Sequence, residues 1–332
     1  MFVVHSLPIA IVFCVITMLG WGSWANTQKL AGKEKWPFEL FYWDYAIGVF
    51  LFSLLFAGTL GSFGASGQGA LENLRSADSS AIIPALVSGA IFNLSNLLLV
   101  VGIDAAGMSV AFPVGVGLAL VIGTVESYIE TPKGDPRMLF TGVALIVFAM
   151  VMSAIAHGRL PHAAGTRKLR GLIFSIVAGC IMGFFYPQLM HAVSPDFNSA
   201  PIFPGKLTPY LALVFFGAGV LASNFIVNTV FMKAGNVPFS GYWKGSAKLH
   251  WIGILGGCIW MIALSFNVVA SSVAGPAISY ALGQGATLVA ALWGLLIWHE
   301  FRLAPKGTTV YIVLMLAGYA TGLILIGAAT QI

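Results

Sequence analysis

The stretch GMSVAFPVGVGLALVIG at residues 107–123 returns, altered, as GPAISYALGQGATLVAA at residues 275–291. At an offset of 168, Gly107, Gly115, Gly117, Leu120 and Val121 fall on Gly275, Gly283, Gly285, Leu288 and Val289, five identities in seventeen positions. Phe112 falls on Tyr280 and Val110 on Ile278. The offset is close to half of the 332-residue chain. A fixed self-offset of this kind is the signature of an internal duplication, although Gly/Ala-rich apolar helices also produce chance matches.

Both copies sit in long apolar runs, and so does most of the chain. Hydrophobic residues make up 58% and Asp, Glu, Lys and Arg only 8%, against about 25% charged residues in an ordinary soluble domain. Mean hydropathy is +0.92. Too few charges remain to clothe a water-facing surface, so a soluble enzyme, a disordered tail and a nucleic-acid binder are all excluded. The expectation is an all-α integral membrane protein in a lipid bilayer. The 39 glycines and 13% aromatic residues suit close helix approach and interfacial anchoring. Cys14, Cys180 and Cys258 each lie in apolar runs, with neither disulfide nor metal spacing.

Spanning about 30 Å of hydrocarbon takes about 20 helical residues. Runs between polar breaks predict ten spans, near 7–27, 40–60, 81–101, 107–128, 138–156, 171–191, 207–231, 250–270, 273–298 and 309–330. No soluble module separates them. With no Lys or Arg in Met1–Ser6, the first run is expected to be a span and not a cleaved leader. The odd-numbered connections carry twelve Lys and Arg and the even-numbered ones four. The excess of positive charge predicts those odd connections on the inside of a plasma (inner) membrane and both termini outside.

Five spans per copy is an odd number, so the second copy would enter the membrane inverted. The expected organisation is a first five-helix repeat over 1–156, a linker over 157–170 and a second, inverted five-helix repeat over 171–332. Inverted repeats are the usual frame of secondary transporters.

Polar groups inside apolar spans are expensive and so informative. Trp21 and Trp24, three apart, suit either a stacking wall for a ring-shaped solute or an interfacial aromatic belt. Asn93 and Asn96 share a helix face, as do Asn224 and Asn228. They read as hydrogen-bonding groups for a neutral ligand or as interhelical glue. Pro113 and Pro187 remove backbone donors, with Tyr186 beside the second. Phe112 and Tyr280, the offset-related pair, would face each other across a cavity, with Gln284 one turn beyond Tyr280. Asp44, about four residues into the second span, reads as a proton-coupling carboxylate or as an interfacial ion pair with Lys33 or Lys35. His299-Glu300-Phe301-Arg302-Leu303 opens like a zinc-protease motif but has Leu where the second ligand belongs. Glu300 there reads as a partner for Arg302. No metal, cofactor or nucleotide-binding motif is present.

The chain resembles the drug/metabolite transporter superfamily, above all the ureide permeases and the related glucose/ribose and rhamnose porters. The resemblance rests on Tyr42-Trp43-Asp44-Tyr45, Gly107-Met108-Ser109-Val110, Ile122-Gly123-Thr124 through Gly142-Val143, Ser279 to Gln284, Trp293-Gly294 and Glu300. It implies a five-plus-five inverted repeat around a central cavity, often with proton-coupled uptake. Plant ureide permeases carry a large central loop; here Ala156–Arg170 is short. Together these features predict a secondary transporter of a small neutral polar solute (a ureide, nucleobase or monosaccharide) coupled to protons. An exporter of the same fold and a non-transporting receptor or assembly subunit stand as alternatives.

Overall fold

The computed structural model describes residues 1–64, 66–106, 108–160 and 168–331; the side chains of 104, 106, 108–110, 112, 168 and 331 are outside the description. The expected contacts of Phe112, and Gly107 of the repeated stretch, therefore lie outside the described residues. The described chain is helical. Among the described residues ten helices are long and apolar enough to cross a membrane. We label them α1 (Leu7–Lys33), α2 (Phe38–Gly58), α3 (Ser79–Ile103), α4 (Pro113–Glu130), α5 (Pro136–Gly158), α6 (Leu169–Ala192), α7 (Pro209–Ala234), α8 (Ala247–Ala274), α9 (Pro276–Ile297) and α10 (Thr308–Ala328). This is an all-α, multi-pass integral membrane protein. The helical form follows from the solvent: hydrocarbon offers no partner for backbone N–H and C=O groups, so each span must satisfy its own.

Caps and breaks set the helix ends. Asp135 accepts the Met138 N–H at 2.8 Å and Thr208 the Leu211 N–H at 3.4 Å, each satisfying an orphan donor of a first turn. Pro136, Pro209 and Pro276 stand where a helix begins, where their missing N–H costs nothing. The tight turn into α9 uses Gly275 at φ +86°, a conformation that side chains resist. Within α6 the helix stops at Gly183 and restarts at Phe185. Pro187 explains this, because it has no N–H for the Gly183 carbonyl. Pro113, by contrast, lies inside the continuous helix Met108–Glu130. Helix α9 is interrupted at Gln284–Gly285 and ends in a π-helical turn over Trp293–Ile297.

The chain forms two compact units, each drawing on both halves of the sequence: Met1–Leu94 with Phe185–Val273, and Ser95–Phe184 with Ala274–Ile332. In the first unit, glycines let helices touch backbone to backbone. A Cβ at Gly89 would strike the Phe216 carbonyl and lie 2.8 Å from the Val220 nitrogen, and one at Gly219 would strike the Leu86 carbonyl. The same arrangement joins α8 to α2. A Cβ at Gly257 would strike the Tyr45 carbonyl and lie 2.7 Å from the Val49 nitrogen, and one at Gly48 would strike the Ile254 carbonyl. The α3–α7 crossing and the α8–α2 crossing thus use the same pattern of groups. In the second unit α5 and α10 cross reciprocally. A Cβ at Gly142 would sit 2.7 Å from the Gly322 carbonyl, and one at Gly322 would sit 2.8 Å from that of Gly142.

Candidate functional site

In the middle of the first unit, aromatic rings gather on Trp260 of α8. Its ring centroid lies 4.1 Å from Phe92, 5.7 Å from Phe216 at an interplanar angle of 14°, 6.4 Å from Phe185 and 5.9 Å from Trp21 at 24°. Trp21 is therefore a packed, stacked ring, although its Nε1–H is buried with no hydrogen-bond partner among the described residues. Trp24 lies 5.0 Å from Tyr45. Tyr186 is fully buried beside Phe185. Trp260 was not a sequence candidate, because an apolar run hides a single indole. The offset of 168 that relates α4 to α9 also sets Trp260 against Phe92, and that signal points to it.

Amides line the same unit. Asn93 donates from Nδ2 to Ser223 Oγ at 2.9 Å, tying α3 to α7, while its Oδ1 has no partner among the described residues. Asn224, the next residue along α7, is fully buried. No described group satisfies its Nδ2 or its Oδ1. One turn on, Asn228 donates to the Glu39 carbonyl at 2.9 Å and leaves its Oδ1 unpaired. Asn224 stands ten residues from the nearer end of α7, about 15 Å along the axis, at the depth where an unpaired amide is most costly.

At the end of this unit that carries Lys33 and Lys35, the Asp44 carboxylate is 1% exposed. Tyr242 donates its hydroxyl to Oδ1 at 2.6 Å, and His250 Nδ1 lies 2.9 Å from Oδ2 and 3.1 Å from Oδ1. The expected ion pair with Lys33 or Lys35 does not form. Both lysines are exposed, and the carboxylate's partners come from the 3-10 turn Phe239–Lys244 and the first turn of α8. Burial, then the Asp44 hydrogen bond, push the Tyr242 phenol well above its ordinary range, so it stays a donor. Trp43 pins α2 to α7 by an Nε1–H···Sδ contact with Met232 at 3.2 Å. Sequence reasoning found Asp44 and missed both of its partners, which lie about two hundred residues away.

The second unit holds the remaining candidates. Tyr280 is fully buried and donates to the Ala119 carbonyl at 3.2 Å, against Gly123 of α4. Gln284 stands at the interruption of α9. Asn96 is buried in the part of α3 that belongs to this unit. Glu300 meets His157 of α5, Nε2 to Oε2 3.6 Å, a pairing the sequence did not suggest. The structure thus places Trp21, Trp24, Asn93, Tyr186, Asn224 and Asn228 in one compact unit with Asp44, and Asn96, Tyr280 and Gln284 in the other.

Ten apolar helices carrying buried amides define a multi-pass membrane protein. The chain is similar to the ureide permeases. A family model described as Ureide permease matches residues 41–164. Ureide permease 2 of Arabidopsis thaliana is 21% identical, over 95% of this chain and 96% of the relative. Ureide permease 4 of the same plant is 22% identical over 99% of both. One solved protein crystal structure shares the fold, with a TM-score of 0.60 at 16% identity over 98% of this chain and 99% of that one.

Proposed function

We propose that this protein is a secondary active transporter of a ureide, working by alternating access between two inverted five-helix repeats, 1–156 and 171–332 joined by 157–170. Asp44 is the coupling carboxylate for protons. Trp21, Trp24, Asn93, Asn96, Phe112, Tyr186, Asn224, Asn228, Tyr280 and Gln284 provide the solute's stacking and hydrogen-bonding groups. The reading includes placement in the drug/metabolite transporter superfamily and in a plasma (inner) membrane, with both termini outside and the odd-numbered connections in the cytoplasm.

One observation carries the substrate class: the Asn224 carboxamide, buried at mid-span with donor and acceptor both unpartnered among the described residues. A carboxamide presents N–H and C=O side by side. A urea or lactam group offers the complementary pair, which closes two hydrogen bonds at once. The relatives' name points to the same class. The repeat is supported by the reciprocal crossings. An offset of 168 carries Leu86 and Gly89 to Ile254 and Gly257, and 171 carries Tyr45, Gly48 and Val49 to Phe216, Gly219 and Val220. Proteoliposomes loaded with the purified protein test the reading. Radiolabelled allantoin should enter saturably and exchange with unlabelled allantoin, while glucose should not compete. Glucose flux without allantoin flux would overturn the substrate class, and binding without flux would overturn transport.

A further inference from the structure

The Asp44 cluster contains one atom whose protonation the geometry isolates. The carboxylate accepts from Tyr242 Oη, His250 Nδ1 lies 2.9 Å from Oδ2, and a donor at either oxygen favours the ionised form. Where Asp44 is ionised it can only accept, so Nδ1 carries hydrogen whether the imidazole is neutral or charged. The ring then has a single site at which a proton comes and goes, Nε2. That nitrogen points toward Gly245, where a Cβ would lie 2.8 Å from it. The Trp36 and Tyr242 rings stand 5.6 and 4.6 Å from the imidazole centroid. The His250 side chain is 24% exposed.

We propose that the proton handled at this end of the protein is held on Nε2 of His250, with Asp44 as its standing counter-ion and Tyr242 as the donor that keeps Asp44 ionised. The inference rests on Asp44 serving the coupling step and assigns the titrating atom within it. A proton from hydronium adds to the Nε2 lone pair as the hydronium O–H bond breaks, leaving water. Without it the trio carries −1, and with it the trio is neutral, the form that an apolar surrounding tolerates during a conformational change.

The other charged groups on the packed elements stay apart from the trio. Glu34 of the α1–α2 connection and Lys248 of α8 pair with each other at 2.9 Å on the surface. Lys35 of the same connection, Lys33 of α1 and Lys244 beside Tyr242 are exposed. The Glu39 carboxylate of α2 lies against Gly235 at the end of α7.

His250→Asn is the decisive variant, because its amide nitrogen replaces the Nδ1–H donor to Asp44 while the titrating nitrogen is gone. In proteoliposomes it should lose at least tenfold in allantoin accumulation driven by a pH gradient. Parental accumulation by His250→Asn would overturn the proposal. Direct 15N-histidine NMR on the parent protein settles it independently of flux and of the variant's folding. The Nε2 resonance of His250 should move as pH falls while Nδ1 stays protonated, and an Nε2 that does not respond would refute the assignment. A parent that moves no allantoin at all, yet shows this Nε2 response, would sink the transport reading and leave the proton assignment standing.

Discussion

Each compact unit contains a histidine facing a carboxylate, and the two pairs are built to opposite standards. Asp44 is 1% exposed, with His250 at 2.9 Å and Tyr242 closing the remaining approach. Glu300 is 30% exposed, and His157, 20% exposed, lies at 3.6 Å. His157 is anchored from its other side, with Nδ1 2.9 Å from the Ser153 carbonyl. The first pair ties α2 to the turn and the helix start some two hundred residues further on through one carboxylate. The second links the end of α5 to the loop after α9. Taking a carboxylate out of water costs several kcal/mol before any partner is counted. A protein that hides Asp44 so fully, at an end where water was within reach, keeps it for a reason other than stability. The Glu300 pair needs no such reason.

The largest effect expected from this contrast is on Asp44→Ala. The substitution leaves the Tyr242 hydroxyl and the His250 Nδ1–H aimed at a methyl group, a loss of about 2–4 kcal/mol for two stranded donors and a broken, mostly buried pair. The apparent melting midpoint of the detergent-solubilised protein should fall by several degrees, with uptake abolished. A midpoint unchanged from the parent would mean that the buried trio is not formed in solution, and the contrast between the units would disappear.

The next prediction extends the same logic to a polar group buried without any partner. Asn224→Leu removes an amide that no described residue satisfies, so stability should hold or rise by about 1 kcal/mol. Solute binding should fall by about tenfold to a hundredfold, the worth of one or two hydrogen bonds. Thermal shift with and without allantoin reads both quantities on one sample. A variant that melts earlier and still binds would turn Asn224 into interhelical glue.

The sequence foretold these two regions unequally, for physical reasons. The ten spans were legible because hydrocarbon demands an unbroken apolar stretch, and an 8% charge content leaves the breaks conspicuous. Pro187 announced the α6 break through its missing donor, whereas Pro113, the same residue type, sits in an unbroken helix. Asp44 stood out as a lone carboxylate near an apolar run. His250 and Tyr242 did not, since hydrogen bonds across 206 and 198 residues are set by tertiary packing that local pattern does not encode. Lys33 and Lys35 were nearer in sequence, and proximity along the chain misled. The sequence echo was visible between residues 107–123 and 275–291 at one offset. The matching glycine contacts also fall at other offsets, 171 between α2 and α7 and 180 where Gly142 and Ile146 answer Gly322 and Ile326 across the α5–α10 crossing. A search at a single offset loses these echoes, although the glycine contacts retain them.

The smallest effect should come from the second pair. Glu300→Gln keeps the size and a hydrogen-bonding oxygen and removes only a part-exposed charge facing His157 at 3.6 Å. Pairs of this exposure contribute about 0–1 kcal/mol, since solvent screens the attraction and ordering two side chains offsets it. The melting midpoint should therefore shift by no more than a degree or two. The shift should shrink further as salt is raised, because screening weakens exposed pairs first. Gradient-driven accumulation should stay within about twofold of the parent. A pH-gradient defect in Glu300→Gln as deep as that of His250→Asn would show that exposure is a poor guide to which histidine works with the proton. Coupling would then have to be assigned to both units, and the ranking of the two pairs by burial would fail.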